Sequence, residues 1–104
     1  MELTSAQRKA LSAQAHELKP VVIIGQAGVT DGVMGKIAES LKAHELIKIK
    51  FNEYKEDKQQ LAEEIANTCE AGLVRIIGNV AILYKENEEK EADKKKTTNK
   101  NSML

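Results

Sequence analysis

The sequence predicts an α/β domain in which helices pack on a mixed four-stranded sheet, with the element order αβαβαββ. Helical patterns alternate with short apolar runs along most of the chain, and strands that are separated by helices tend to pair in parallel. Further along, Gly78 and Asn79 separate two apolar runs, which indicates a two-residue hairpin and antiparallel pairing. The sheet is therefore expected to contain both kinds of pairing.

The first helix begins at a capping-box pattern. Thr4 is followed three residues later by Gln7, and no glycine or proline interrupts the chain before Pro20. The pattern predicts a helix over residues 4–18, which Pro20 ends. Its narrow apolar stripe consists of Leu11, Ala15 and Leu18.

Two further helices are predicted in the same way. Thr30 or Asp31 can cap the second helix, and Asp57 with Gln60 forms a capping pattern before the third. Gly72 stands at the position of a glycine that ends the third helix. The buried faces are expected to contain Val33, Ile37 and Leu41 in the second helix, and Leu61, Ile65 and Cys69 in the third.

Four strands complete the predicted fold. Residues 21–24 form a β-branched run without polar alternation, which is typical of an inner strand that is covered on both faces. Residues 46–51 alternate between apolar and basic side chains, which predicts one buried and one solvent-exposed face. Residues 73–77 and 80–84 form the two strands of the hairpin.

Basic side chains define one face of the predicted sheet, because Lys48, Lys50, Arg75 and Lys85 fall on alternate positions of their strands. The second and third helices are expected to cover their apolar neighbours, which are Ile47, Ile49, Val74, Ile76, Val80 and Ile82. The other face would present Leu73, Ile77 and Leu83, and the first helix could cover part of it. A partly open, locally basic surface would remain, although these side chains could instead serve only to keep the face soluble.

Length and charge limit the kind of partner. The 104 residues suffice for one domain, and the scarcity of apolar residues from Lys85 onward predicts a domain over residues 1–86 with a charged, disordered tail over residues 87–104. Six of the 16 basic and five of the 16 acidic residues lie from Lys85 onward, which leaves ten basic and eleven acidic residues for the folded part. A globally basic binder of nucleic acid is excluded, so a site for a polyanion must be a local patch.

Cysteine usage and hydropathy exclude several other classes. The single cysteine, Cys69, excludes an intramolecular disulfide and a cysteine-based zinc site. No apolar run approaches the ~18 residues of a membrane span, and no signal segment stands at the N-terminus. The sequence therefore predicts a soluble, cytoplasmic protein that makes no contact with a membrane.

Two glycines follow the first predicted strand in the pattern GQAG, residues 25–28. A Walker loop is absent because Gly35 and Lys36 are followed by Ile37, and the chain contains no GxG for a dinucleotide fingerprint. A GxxG loop that leads into a helix lets a nucleic-acid backbone approach closely and offers it helix N-terminal amides, as in KH modules. On spacing alone, two glycines in this pattern are more often a plain turn.

Longer runs extend this motif over most of the folded part. They are AHELKPVVIIGQAGVTDGVMGKIAESLKAHELIKIK, residues 15–50, and VRIIGNVAILYKENEE, residues 74–89. In these runs the sequence resembles the CRM domain (chloroplast RNA splicing and ribosome maturation), and more closely its free-standing bacterial, YhbY-type form. The likeness extends from Leu3 to about Glu86.

The resemblance implies a fold similar to the C-terminal domain of translation initiation factor three and RNA binding through the GxxG loop and nearby basic residues. It further implies that the RNA is ribosomal, in precursors of the large ribosomal subunit whose assembly the protein would assist. No cofactor, metal or small-molecule substrate is expected, and the protein is expected to be a monomer. The expected RNA-binding residues are Gly25, Gln26, Ala27, Gly28, Lys19, Lys36, Lys48, Lys50 and Arg75.

Enzymatic activity is not expected. His16 and His44 fall near helix ends, where they complement the helix dipole, and Cys69 shares the apolar stripe of the third helix. The main alternative function is that of a protein–protein adaptor that makes no contact with RNA. Its partner would bind the open sheet face or the acidic third helix, which carries Glu63, Glu64 and Glu70.

Overall fold

The computed structural model describes residues 2–87, which form three α-helices and a four-stranded sheet in the predicted order. The helices are α1 (Ser5–Ala15), α2 (Asp31–His44) and α3 (Lys58–Thr68), with a 3-10 turn at Lys55–Asp57 before α3. The strands are β1 (Val22–Ile24), β2 (Leu46–Phe51), β3 (Gly72–Ile77) and β4 (Val80–Tyr84). The predicted α/β class is confirmed. The predicted tail over residues 87–104 lies outside the described residues except for Asn87.

The sheet has the strand order β1-β2-β4-β3 and mixes both kinds of pairing, as predicted. β1 pairs in parallel with β2, whereas β4 pairs antiparallel with both β2 and β3. Gly78 adopts a left-handed φ of 58° in the turn between β3 and β4, which is the conformation that a two-residue hairpin requires. Lys58 ties this turn to the start of α3, because its Nζ donates to the Gly78 carbonyl oxygen at 2.6 Å.

β1 is an edge strand, so the prediction of an inner strand covered on both faces is wrong. Val22 and Ile24 are buried, but Ile23 between them is 56% exposed. The β-branched run gives no polar residue at the outward position, and the alternation of burial is therefore invisible in the sequence. An apolar side chain is left on the open face of the sheet.

The main core lies between one face of the sheet and the helices α2 and α3. The alternation of β2 places Ile47, Ile49 and Phe51 in this core, and the helical period of α2 adds Ile37 and Leu41. Each of these side chains is almost completely buried, which stabilises the fold by about 1.5–3 kcal/mol per side chain before entropy is counted. Cys69 also lies in this core, as predicted.

A second, smaller cluster lies on the opposite face of the sheet, under α1. It consists of Leu3, Ala15, Val74 and Ile82, with Leu11, Leu46 and Tyr84 packed against it. The helix therefore covers part of the face that carries the basic residues of β2, and it leaves the remainder of that face open.

The side chains of β4 lie on the sheet faces opposite to those that the sequence predicted. Lys48 pairs with Ile82 and Lys50 pairs with Val80, so Val80 and Ile82 share the face of the lysines. Leu83 joins the main core instead, together with Ala81. Because every residue of β4 is apolar or aromatic, its sequence does not show which residues alternate inward.

The assignment of β3 is wrong for two residues. A register shift between Leu73 and Arg75 interrupts the alternation of this strand. Val74 consequently lies under α1, while Leu73 packs against the main core. Ile76 beside the main core and Ile77 on the other face agree with the prediction.

All three helices begin directly after a predicted capping residue, but only two of these residues make a capping hydrogen bond with their side chain. Thr4 and Gln7 form the predicted capping box, with backbone to side-chain distances of 2.9 and 3.1 Å, and the Thr30 hydroxyl accepts from the Val33 amide at 3.1 Å. Asp57, however, ends the 3-10 turn and makes no capping hydrogen bond with its side chain. The glycine prediction at the end of α3 also fails, because Gly72 begins β3 and the left-handed residue after the helix is Glu70, with a φ of 56°.

The first helix ends at Ala15, earlier than the predicted residue 18. The Nζ atom of Lys48 donates to the carbonyl oxygens of His16 at 3.2 Å and of Leu18 at 3.0 Å. The first of these carbonyl groups belongs to the C-cap residue of α1, and the second belongs to the segment that follows the helix. A lysine of the central sheet therefore holds the end of α1 in place.

We predict that Lys48→Met lowers the free energy of unfolding by about 1 kcal/mol, because it keeps the aliphatic stem but removes the donor to two carbonyl groups. Chemical denaturation measures the loss, and hydrogen exchange should show it as faster opening of α1. Lys50→Met is the matched control, since Lys50 is exposed two residues along the same strand face, and its effect should stay within about 0.5 kcal/mol. Equal losses in the two variants would contradict the assigned role of Lys48.

Candidate nucleic-acid interface

The GxxG loop, residues 25–28, forms a tight turn directly after β1. The Gly28 amide donates to the Gly25 carbonyl oxygen at 3.0 Å. Gly28 has a φ of 73°, in the left-handed region that glycine adopts at little cost, and a Cβ atom there would lie 3.5 Å from the ring of Tyr54. The turn itself therefore accounts for the glycine at position 28.

Gly25 is in a different situation. Its φ lies outside the left-handed region, and a Cβ atom built on it would have no other atom within 4 Å. Neither backbone strain nor packing requires a glycine at this position. Gln26 and Ala27, between the two glycines, are exposed. The loop thus presents bare backbone to solvent at its first residue.

Tyr54 supports the loop from the chain segment that follows β2. Its hydroxyl group donates to the Gln26 carbonyl oxygen at 2.6 Å, and its ring faces Gly28. The residue has a left-handed φ of 56°, which is rare for an aromatic residue. The residue is 44% exposed. Sequence reasoning missed this residue, because neither its backbone conformation nor its distant partner leaves a pattern in the chain.

The N-terminus of α2, the positive end of its helix dipole, lies beside the loop, but neighbouring side chains already offset part of its charge. The Thr30 hydroxyl already accepts from the Val33 amide, and Asp31 stands in the first turn, where its carboxylate offsets the helix dipole. An anion at this loop would therefore be attracted mainly by backbone amides and by cations on neighbouring elements.

Such cations lie on the sheet face that turns away from α2 and α3. Lys50 pairs with Ile23, two residues before Gly25, and so lies at the loop end of the sheet. Lys48 and Arg75 line a groove of about 730 Å³ between α1 and the sheet. Within residues 2–87, no carboxylate lines this groove, whose walls are formed by Lys9, Ser12, Ala13, His16, Lys48, Arg75, Ile77, Val80 and Ile82.

The other two predicted cations lie apart from this face. Lys36 is exposed on the second turn of α2. Lys19 stands before β1, at the end opposite to the GxxG loop, and lines a separate cleft with Leu18 and His44. The structure thus brings the loop, Lys50 and the groove to one region, and it places Lys19 at the far end of the strand.

Sequence reasoning also missed the contribution of α1 to the groove. Lys9 and His16 stand seven residues apart, with Ser12 and Ala13 between them at helical spacing. This polar stripe was readable in the sequence once the first helix had been predicted. The stripe alone does not indicate a binding site, because the polar face of a helix usually contacts nothing but solvent.

The remaining reactive groups have structural explanations. Burial raises the pKa of the Cys69 thiol, against a smaller lowering effect of the Lys85 charge, so the thiol stays protonated and weakly nucleophilic at neutral pH. Within residues 2–87, no group of three or more histidine, cysteine or acidic side chains is placed to hold a metal ion. No helix in this part of the chain is long and apolar enough to cross a membrane.

The fold and the loop define a class of small α/β domains with a GxxG turn after an edge strand and a partly open basic sheet face. The family model of the CRS1/YhbY (CRM) domain matches residues 3–85, and the chain therefore belongs to this family. The resemblance noted in the sequence is confirmed.

Similar proteins occur in several bacteria. The chain is 41% identical over 88 residues to YqeI of Bacillus subtilis (strain 168), named as a probable RNA-binding protein, with 84% of the chain and 92% of YqeI covered. It is 39% identical to a Haemophilus influenzae protein named as an RNA-binding protein, with 84% and 89% covered. The solution structure of SAV1595 from Staphylococcus aureus superposes with a TM-score of 0.73 at 31% identity, with 83% of the chain and 91% of SAV1595 covered.

We predict that Tyr54→Phe loosens the GxxG loop without unfolding the domain. The variant keeps the ring beside Gly28 but loses the hydrogen bond to Gln26, which is expected to cost about 1 kcal/mol of unfolding free energy. Amide exchange at Gly28 should become faster, because its hydrogen bond to Gly25 closes the same turn. Tyr84→Phe is the control, since it removes a hydroxyl group far from the loop. Unchanged exchange at Gly28 in Tyr54→Phe would show that the hydroxyl does not hold the turn.

Proposed function

We propose that the protein binds RNA by placing the GxxG loop, residues 25–28, against the phosphodiester backbone. The observation that supports this most directly is the unexplained glycine at position 25, where a side chain would be sterically harmless to the fold. A bare backbone at this point is useful to a ligand that must approach closely, and phosphate groups do so in GxxG loops of other modules.

Charge supports the same conclusion. Lys50 lies beside the loop, and Lys9 and Arg75 line the groove, so this face carries positive charge, and no carboxylate of the described residues lines the groove. Lys36 and Lys19 would contribute at the borders of a larger contact, whereas Lys48 would act mainly by holding α1. Relatives in Bacillus subtilis and Haemophilus influenzae are named as probable RNA-binding or RNA-binding proteins, which agrees with this choice of ligand.

The RNA is proposed to be ribosomal RNA in precursors of the large ribosomal subunit, whose assembly the protein assists as a monomer and without catalysis. Membership of the CRM family, which includes the free-standing YhbY-type form, supports this assignment. Sedimentation of the endogenous protein with large-subunit precursors, and crosslinks mapped on their RNA, would test it. If the protein sedimented only in the fractions of free protein, away from ribosomal particles, this assignment would be contradicted.

The loop is tested by the double change Gln26→Asp and Ala27→Asp. Both glycines remain, and the bond from Tyr54 to the backbone oxygen of residue 26 is kept. Each new carboxylate repels a nearby phosphate by roughly 1 kcal/mol even at the dielectric constant of water, so we predict a loss of about tenfold to a hundredfold in affinity. Titration of a structured ribosomal RNA fragment, followed by fluorescence anisotropy, measures it.

The matched control is Gln26→Asn with Ala27→Asn, which reproduces the shape of the aspartates without their charge. It should keep the affinity within about threefold, and both double variants should keep the thermal midpoint of the parent because the positions are exposed. The affinity of the parent should also fall steeply with rising salt, as expected when phosphate contacts release counterions. If the aspartate variant kept the full RNA affinity of the parent, the loop would be a turn without a role in RNA binding.

A further inference from the structure

An unusual row of side chains crosses the open half of the basic sheet face. Ile23, Lys50, Val80 and Ile77 are successive cross-strand neighbours on β1, β2, β4 and β3. We call its three apolar members, Ile23, Val80 and Ile77, the aliphatic row. Ile23 is 56% and Ile77 is 55% exposed, although both are large apolar residues in strands. The cluster under α1 ends at Ile82, two residues further along β4 on the same face, and leaves this row uncovered.

The aliphatic row is continuous with the proposed RNA contact. Ile23 stands two residues before Gly25, so the row begins beside the GxxG loop. At its other end, Ile77 and Val80 line the groove that also contains Arg75 and Lys9. With neighbouring strands about 4.8 Å apart, the row spans about 14 Å from β1 to β3.

An aliphatic surface contributes nothing to a contact with double-stranded RNA, which presents phosphates and sugars and keeps its bases stacked inside. An unpaired nucleotide, by contrast, exposes the apolar face of its base next to a charged phosphate. The aliphatic row alternates with cations in the same way, since Lys50 lies between Ile23 and Val80, and Arg75 lies in the same groove as Ile77. The guanidinium plane of an arginine is itself a surface on which bases stack.

We propose that the aliphatic row is a binding site for unpaired nucleotides of an RNA whose backbone is held by the GxxG loop. The proposal rests on the proposed function and adds the form of RNA that the protein prefers, which is a structured RNA with a single-stranded segment next to it. Bases would lie on Ile23, Val80 and Ile77, while Lys50, Lys9 and Arg75 neutralise the phosphates. Since isoleucine and valine carry no polar side-chain groups, the row would accept any base and read no sequence.

The experiment compares two RNAs, a blunt hairpin and the same hairpin with a single-stranded extension of about six nucleotides, a length within the range that single-strand sites occupy. The parent protein is expected to bind the extended RNA about fivefold to tenfold more tightly, a modest gain because base stacking on aliphatic groups is weaker than on aromatic rings. Fluorescence anisotropy with both RNAs gives the ratio of the two dissociation constants.

The test variant is Ile77→Thr with Val80→Thr, which keeps the β-branched shape of both residues and replaces part of their apolar surface with a hydroxyl group. Its preference for the extended RNA should disappear, while its affinity for the blunt hairpin stays within about twofold of the parent. Ile77→Thr alone, at a largely exposed position, serves the same purpose if the double variant loses its fold. Leu18→Thr is the control, because Leu18 is 40% exposed and lines the separate cleft at the other end of β1.

The possible results separate this proposal from the proposed function. If the parent binds both RNAs equally, the proposal is overturned, and the aliphatic row is left for a protein partner or for residues 88–104 of the chain. Equal losses on both RNAs in the threonine variant would also overturn it. If the parent binds neither RNA, the proposed function itself fails. The aspartate variant of the loop should weaken both RNAs, whereas the threonine variant should weaken only the extended one.

Discussion

The antiparallel pairing of β2 with β4 is the interaction on which the rest of the structure depends. It places Lys48 opposite Ile82 and Lys50 opposite Val80, and thereby decides that basic and apolar side chains share one face of the sheet. On the other face, the same pairing aligns the buried residues of β2 with Ala81 and Leu83 under α2 and α3. The position of α1 follows as well, because the helix packs on Ile82 and its end is held by Lys48.

The parts of the fold that local patterns specify could be predicted from the sequence. The alternation of β2, the Gly78 turn and the caps at Thr4 and Thr30 each have a nearby cause, and each was found. The errors fall where the decision is made by distant residues. In an all-apolar strand such as β4, the sequence does not show which side chains face the main core, because both faces are apolar. In β3, the register shift moves Val74 to the face under α1, and nothing in the amino-acid composition of the strand announces the shift.

The candidate site shows the same division. The two glycines of the loop are visible in the sequence, but only the structure separates them into Gly28, which the turn requires, and Gly25, which the turn does not. The bond from Tyr54 to the loop joins residues 28 positions apart and leaves no local pattern. Likewise, the exposure of Ile23 and Ile77 follows from the small area that α1 covers, and their apolar character alone predicts burial.

The strand order has a consequence for the folding of the protein during its synthesis on the ribosome. Among the strands of residues 2–87, β4 comes last in sequence but lies inside the sheet, between β2 and β3. Until residues 80–84 have emerged, β2 has an unpaired edge toward the centre of the sheet and β3 has no neighbour at all. Hairpins form within microseconds, so β3 and β4 are expected to pair first and to close the sheet as a unit. Before that moment the nascent chain exposes an apolar strand edge, which is the stage of its synthesis most prone to aggregation.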